Sequence, residues 1–330
     1  MRTPGLIARA GLAALLALAA CKKEGATGGP LRVAYFPNLT HAQALVGDAD
    51  GTFLRALGAP PATRQFNAGP AAMEALLAGD VDVAYVGPGP ATVAYLRSKG
   101  TALRVIAGAV SGGASLVVRS ARGPKDLAGK RVASPQLGNT QDIALRSWLR
   151  AQGLAEGDGP DKVKVVPLSN PDMMGLFARG ELEGAWAPEP WAARLRAEAG
   201  GRTLVDERDL WPGGRFPTTV VVATQGALAS RRRAVVALLR AHAELTERWR
   251  RDPQAFARAT NEAYGRLTRH PLPERVLQDA FAHLAPELDP LAPQLLAGAK
   301  NAQALKFAPA GDVSGIVDAT PLADLRSASR

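Results

Sequence analysis

The sequence has almost no cysteine and few histidines, and both shortages restrict its chemistry. Cys21 is the only cysteine among 330 residues, so no disulfide can form within the chain. No two of the four histidines, His41, His242, His270 and His283, have the three- or four-residue spacing of paired metal ligands on a helix. A Gly-x-Ser-x-Gly elbow, a Walker-type loop and an ordered dinucleotide fingerprint are also absent. We therefore expect no metal, no cofactor and no catalytic residues, so that the protein is not an enzyme.

Long apolar runs are scarce too, and the one that stands out lies at the start of the chain. Arg2 and Arg9 give residues 1–20 a positive beginning, and the apolar stretch 11–20 is too short to span a bilayer. This pattern predicts a cleaved signal peptide. The residues Leu18-Ala19-Ala20-Cys21 resemble a bacterial lipobox, which implies a lipid on Cys21, a membrane anchor and a location in the periplasm or cell envelope. A structural cysteine after an ordinary signal is the alternative.

The net charge of +10 says little about partners. Arg231 to Arg233 and Arg248, Arg250 and Arg251 lie in alanine-rich stretches where Trp249 is the one aromatic, which is unlike a nucleic-acid surface with its repeated interleaved aromatics. We interpret them as a solvated face, expect no nucleic-acid partner, and infer only a modest preference for anionic ligands or lipid headgroups. The glycine-rich residues 21–30 then form a lipidated, flexible tether to the folded body.

From residue 31 onward, short apolar runs alternate with helical segments, which indicates an α/β fold with largely parallel sheets. The predicted strands are 31–36, 63–66, 81–86, 103–109, 116–119, 131–134, 163–167, 184–187, 203–205 and 218–223. The predicted helices are 139–152, 171–179, 189–199, 231–251, 253–266 and 272–284, and only helices are expected after the last strand. We infer two lobes, the second inserted into the first: residues 31–113 and 217–330 form the first and residues 114–216 the second.

Two crossings between lobes make a hinge, and the cleft between them is the expected place for a small ligand. In open α/β sheets ligands collect where strands end and helices begin, because helix N-termini present free N–H groups. Four turns fit this rule, and helix capping, a tight turn or a flexible loop are the competing interpretations. The candidate ligand contacts are Asn38, Thr40 and His41; Gly87, Gly89 and Pro90; Ser111, Gly112 and Gly113; and Asn139, Thr140 and Gln141.

Five strings then resemble one family, the solute-binding lipoproteins of ABC importers for nitrate, aliphatic sulfonates and taurine. They are RVAYFPNLTH at 32–41, VAYVGPGPA at 83–91, DLAGK at 126–130, LGNTQ at 137–141 and APEPW at 187–191. The resemblance implies a two-lobed type II periplasmic-binding-protein fold that closes on a small anion or zwitterion and delivers it to a permease with its ATPase. It implies that the ligand contacts include Glu189 and Trp191, and we expect a monomer.

Glu189 is difficult to reconcile with an anion site, because a carboxylate repels an anion. It could serve the helix dipole, hold the ammonium group of an amino-sulfonate, or accept a hydrogen bond from an uncharged polar ligand. Trp191 could contact the ligand or belong to the core.

Three rival functions stay open from the sequence. The same fold could bind a neutral pyrimidine-type thiamine precursor through His41, Trp191 and Glu189. It could also be a pyrimidine-forming enzyme, which residues 31–98 disfavour because they contain no lysine for a Schiff base. The third rival is a lipoprotein that senses or scaffolds without transport.

Overall fold

The computed structural model describes residues 29–327. The predicted signal peptide, Cys21 and most of the tether lie outside the described residues. Within residues 29–327, no helix is both long and apolar enough to cross a membrane.

Two six-stranded sheets form the centres of two lobes. The first sheet has the strand order β12-β4-β11-β3-β1-β2. Its strands are β1 (Arg32–Tyr35), β2 (Ala62–Gln65), β3 (Val83–Val86), β4 (Leu103–Gly112), β11 (Pro217–Thr224) and β12 (Leu284–Pro286). β3 and β4 are buried along nearly their whole length, so they are largely apolar rather than alternating.

The second sheet has the order β10-β5-β9-β6-β8-β7. Its strands are β5 (Ala114–Val118), β6 (Arg131–Pro135), β7 (Ala155–Glu156), β8 (Lys162–Leu168), β9 (Gly184–Pro188) and β10 (Arg202–Asp206). All six lie between the two crossings of the chain from one sheet to the other. We call the parts built on the two sheets the first and the second lobe, and we keep the division at residues 113/114 and 216/217 as a proposal.

The prediction of largely parallel sheets was wrong, since both sheets are mixed. β1, β2 and β3 are parallel, whereas β11 runs antiparallel to β3 and β4. In the second lobe β6, β8 and β9 are parallel, whereas β5 runs antiparallel to β9 and β10. The antiparallel strands β5 and β11 are the first that the chain forms after each crossing.

Helices cover both sheets. They are α1 (Ala42–Ala49), α2 (Thr52–Leu57), α3 (Gly69–Leu77), α4 (Pro88–Arg97), α5 (Thr140–Ala151), α6 (Asn170–Ala178), α7 (Trp191–Ala199), α8 (Gln225–Ser230), α9 (Arg232–Arg251), α10 (Pro253–Thr268), α11 (Glu274–Ala282), α12 (Ala292–Ala304) and α13 (Thr320–Ser327). α9 buries Val235, Leu238, Leu239 and Leu245 at helical spacing. Its arginines therefore lie mostly on the opposite, solvated face.

A short strand interrupts the helical tail, so the expectation of helices alone after β11 was wrong. β12 pairs antiparallel with the end of β4, with Leu284 opposite Gly112. The predicted helix 272–284 stops at Ala282 instead. No local sequence pattern predicts β12, because its three residues form a strand only by pairing with β4, which is far away in the sequence.

Candidate functional site

A cavity of about 30 Å³ lies between the two lobes. The lining residues from the first lobe are Phe36, Asn38, Thr40, His41, Asn67, Ala68, Gly69, Gly87, Pro90 and Thr218. The lining residues from the second lobe are Pro135, Asn139, Thr140, Gln141, Asn170 and Pro188.

Five helix beginnings surround this cavity, each directly after a strand. In the first lobe they are the 3₁₀ turn Leu39–His41 after β1, α3 after β2 and α4 after β3. In the second lobe α5 follows β6 and α6 follows β8. The parallel strands end at the same edge of their sheet, which brings these turns together. The positive ends of the helix dipoles, together with the N–H groups that capping leaves free, therefore favour negative charge in the cavity.

Side-chain capping differs between the two lobes. The N-cap residues of the 3₁₀ turn, α3 and α4 are Asn38, Ala68 and Gly87, and none accepts a capping hydrogen bond through its side chain. Asn139 does cap α5, since its Oδ1 accepts from Gln141 N at 2.8 Å and Asp142 N at 3.2 Å. Asn139 is thus both a cap and a lining residue. With Oδ1 engaged in the cap, its amide NH₂ is the group left to donate a hydrogen bond.

His41 is a neutral donor. Burial lowers the pKa of its imidazole to about 3, so the ring is uncharged at neutral pH. Phe36 N donates to Nδ1 at 3.4 Å, which assigns the remaining ring proton to Nε2. His41 therefore offers an N–H group without a positive charge.

Two hydrogen bonds join the lobes around the cavity. Gly89 N donates to Thr140 Oγ1 at 3.2 Å, so the glycine-rich turn of the first lobe contacts the polar turn of the second. Trp191 Nε1 donates to Asn38 Oδ1 at 3.1 Å. A Cβ atom added to Gly87 would overlap the Thr140 hydroxyl. The close approach of the two lobes thus depends on a glycine at position 87.

Six of the sequence-predicted contacts are not in the cavity lining. They are Gly89, Ser111, Gly112, Gly113, Glu189 and Trp191. Residues 111–113 form the crossing itself: Phe216 N donates to Ser111 Oγ at 3.2 Å, and Thr218 Oγ1 donates to Gly112 O. Gly112 and Gly113 have φ angles of 76° and 77°, which glycine adopts without strain. Gly112 and Gly113 therefore allow the backbone path of the crossing.

Both carboxylate oxygens of Glu189 accept hydrogen bonds from other residues of the protein. Its Oε1 accepts from Arg196 Nη2 at 2.9 Å and its Oε2 from Ala193 N at 2.9 Å. α7 begins at Trp191, so the carboxylate supplies an acceptor to the first turn of that helix. Burial raises the pKa of the Glu189 carboxyl, although the Arg196 charge opposes this shift. This arrangement agrees with the helix-dipole role among the three considered.

Sequence reasoning missed eight lining residues: Phe36, Asn67, Ala68, Gly69, Pro135, Asn170, Pro188 and Thr218. The turns at 67–69 and at 170 follow β2 and β8, so the strand-to-helix rule could have found them. Thr218 lies within β11, and only the three-dimensional pairing of that strand brings it to the cavity. Across residues 29–327, no group of three or more His, Cys, Asp or Glu side chains could hold a metal ion.

The chain is similar to known proteins in sequence and in fold. The taurine-binding periplasmic protein of Escherichia coli (strain K12) is 30% identical over 198 residues, which cover 58% of this chain and 58% of that protein. The alkanesulfonate-binding protein SsuA from Xanthomonas axonopodis pv. citri, bound to MOPS, has a TM-score of 0.70 at 20% identity, over 90% of this chain and 98% of its own.

The nitrate-binding protein NrtA from Synechocystis PCC 6803 has a TM-score of 0.75 at 14% identity, over 91% of this chain and 88% of its own. These two structures share the two-lobed fold. The pattern of the NMT1-like family matches residues 25–263, which is more than half of the sequence. The chain therefore belongs to the NMT1-like family.

Proposed function

We propose that the protein is the extracytoplasmic solute-binding component of an ABC importer. It binds a small oxyanion of the aliphatic sulfonate, taurine or nitrate class between its lobes and delivers it to a permease driven by an ATPase. The observation that carries the proposal is the convergence of five helix beginnings from both lobes on one cavity. The names of the relatives, which bind taurine, alkanesulfonate and nitrate, support the choice of ligand class.

The chemistry of the lining supports an oxyanion. An anion buried away from water needs several hydrogen-bond donors to replace its hydration. The Nε2–H of His41, the Asn139 amide and the hydroxyls of Thr40 and Thr140 are donors of this kind. Each is neutral, so the cavity binds the anion through dipoles and N–H groups, as helix N-termini bind phosphate and sulfate. No bond needs to be made or broken for this function.

The membrane anchor and the cellular location belong to the same proposal. Cys21 carries a lipid after removal of residues 1–20, and the folded body lies in the periplasm or cell envelope as a monomer. The lipobox-like residues and the periplasmic name of the taurine-binding relative support this part. Mass spectrometry of protein purified from membranes tests it, because a diacylglyceryl group on Cys21 adds a defined mass and an unmodified cysteine contradicts the anchor.

Calorimetric titration tests the ligand class. Ligand-free protein is titrated with ethanesulfonate, taurine, nitrate, sulfate and a hydroxymethylpyrimidine. We expect saturable binding of at least one sulfonate or nitrate with a stoichiometry of one. Binding of the pyrimidine alone would replace the proposal with the pyrimidine-binding alternative, and turnover of any of these compounds would replace it with an enzyme.

A further inference from the structure

The cavity contains no formal charge, and this limits the second functional group that a bound sulfonate can carry. Among the described residues that line it, none is Lys, Arg, Asp or Glu. Its single histidine, His41, is buried and neutral. An oxyanion is still stabilised there, because the helix beginnings supply N–H groups and positive dipole ends. A buried ammonium group has no comparable partner, because no described residue of the lining supplies a carboxylate to offset the loss of its hydration.

Glu189 does not provide that carboxylate. Its neighbour Pro188 lines the cavity, but the Glu189 side chain is completely buried and outside the lining. Its two oxygens already accept from Arg196 and Ala193 N. Rotating it toward the cavity would leave the Arg196 guanidinium without this partner and the α7 terminus without this acceptor.

Asn170 provides a neutral acceptor instead. It is the first residue of α6, only 8% exposed, and it lines the cavity. Its Oδ1 is buried and has no hydrogen-bond partner among the described residues. A buried oxygen without a partner is costly. A ligand that brings a hydrogen-bond donor to this point removes the cost.

We propose that the cleft selects sulfonates whose second polar group is a neutral hydroxyl, and that Asn170 Oδ1 accepts the hydrogen bond from this hydroxyl. The inference rests on the proposed function, because it assumes that the sulfonate occupies this cavity. A hydroxyl satisfies Asn170 with one hydrogen bond and loses little hydration. An ammonium group would lose much more hydration for the same single bond.

Three ligands that differ only at their second carbon test the selectivity. Ethanesulfonate, 2-hydroxyethanesulfonate and taurine carry a hydrogen, a hydroxyl and an ammonium group there. In titrations at pH 7, we expect the hydroxyl compound to bind at least about tenfold more tightly than each of the other two. Taurine binding most tightly would overturn the selectivity while leaving the proposed function intact. Failure of all three sulfonates and of nitrate to bind would instead overturn the proposed function.

Two variants test the role of Asn170. Asn170→Ala is expected to reduce the preference for 2-hydroxyethanesulfonate over ethanesulfonate to about twofold or less, because both ligands then lack the acceptor. Asn170→Asp places a carboxylate in the cavity and is expected to raise the affinity for taurine relative to 2-hydroxyethanesulfonate by at least about tenfold. The matched control is Gln254→Glu, the same amide-to-carboxylate change at an exposed position of α10.

Circular dichroism and thermal unfolding establish that each variant is folded before titration. The control should reproduce the wild-type order of affinities. Unchanged ligand ratios in both Asn170 variants would overturn the assignment of this residue.

Discussion

At the scale of single residues, Thr140 links the two lobes. Its hydroxyl accepts the Gly89 N–H bond across the cleft and also lines the cavity. We predict that Thr140→Val weakens sulfonate binding about five- to tenfold, because the closed cleft then leaves Gly89 N without its acceptor. The thermal midpoint of the ligand-free protein should stay nearly unchanged.

The control for this prediction is Thr92→Val. Thr92 is buried in α4, and its Oγ1 has no hydrogen-bond partner among the described residues. The same substitution there should leave the affinity unchanged. Intact sulfonate affinity in Thr140→Val, together with a large loss of stability, would show that Thr140 only supports the fold.

The lowered pKa of His41 predicts that the stability of the protein depends on pH. Its pKa is about 3 in the folded protein, against 6.5 for an unperturbed imidazole. Below pH 6.5 the imidazole of His41 binds a proton in the unfolded chain but stays neutral in the folded protein. The free energy of unfolding therefore falls as the pH decreases toward 3. Between pH 7.5 and pH 5 this single group removes about 2 kcal/mol from the free energy of unfolding.

Denaturant unfolding at several pH values measures this effect. His41→Asn should lose about 2 kcal/mol less than the wild type between pH 7.5 and pH 5, because asparagine does not titrate. Other titrating groups, such as the buried Glu207, are present in both proteins and cancel in the comparison. Parallel curves for the two proteins would contradict the buried, neutral state of His41.

At the scale of elements, the beginning of α4 determines how closely the lobes approach. Gly87 has an ordinary extended backbone, with φ −65° and ψ 148°, so alanine fits its conformation. The added methyl group would nevertheless overlap the Thr140 hydroxyl when the cleft is closed. We predict that Gly87→Ala weakens sulfonate binding by at least about tenfold and leaves the ligand-free stability nearly unchanged.

Gly123→Ala is the matched control. Gly123 also precedes a helix that begins with proline, its backbone is extended, and an added Cβ would meet no atom within 4 Å. Titration of both variants with the same sulfonate measures the difference. Equal affinities in Gly87→Ala and Gly123→Ala would show that binding does not require this close approach.

Local sequence patterns revealed part of the site at this scale. The predicted lining residues Asn38, Thr40, His41, Gly87, Pro90, Asn139, Thr140 and Gln141 do lie around one cavity. These residues could be predicted because they lie in turns that follow a buried strand and begin a helix, a pattern that is visible in the sequence. The turn at Asn67 follows the same pattern, but its strand β2 is largely exposed and gave a weaker apolar signature.

Glu189 shows why a resemblance between motifs is not enough. The APEPW string ends β9, where Pro188 lines the cavity, but Glu189 and Trp191 of the same string do not. The side chain of Glu189 points elsewhere because Arg196, seven residues later on α7, binds it. That ion pair depends on the direction of two side chains around a helix start, which no sequence motif specifies.

At the scale of the whole molecule, the alternation of strands and helices predicted two sheets, and two sheets are present. β5 and β11 were predicted as strands, but their antiparallel direction was not, because strand direction depends on where the chain re-enters a sheet. The lobes also contact each other outside the cavity. Arg196 of the second lobe donates to Asp279 of the first at 2.9 Å, and His283 Nδ1 lies 3.0 Å from Asp206 Oδ2.

A ligand held by both lobes should couple their stabilities. At one hundred times its dissociation constant, such a ligand adds about 2.7 kcal/mol to the free energy of unfolding. For a chain of this size, we predict that a single calorimetric transition moves upward by about 4 °C. A scan in which the ligand shifts one of two separate transitions would show that it binds to one lobe alone.

The most direct measurement is a crystal structure of the protein with ethanesulfonate. We expect sulfonate oxygens within about 2.7–3.2 Å of donors from both lobes, namely His41 Nε2 in the first and the turn at residues 139–141 in the second. A sulfonate bound outside this cavity, or contacted by only one lobe, would contradict the account.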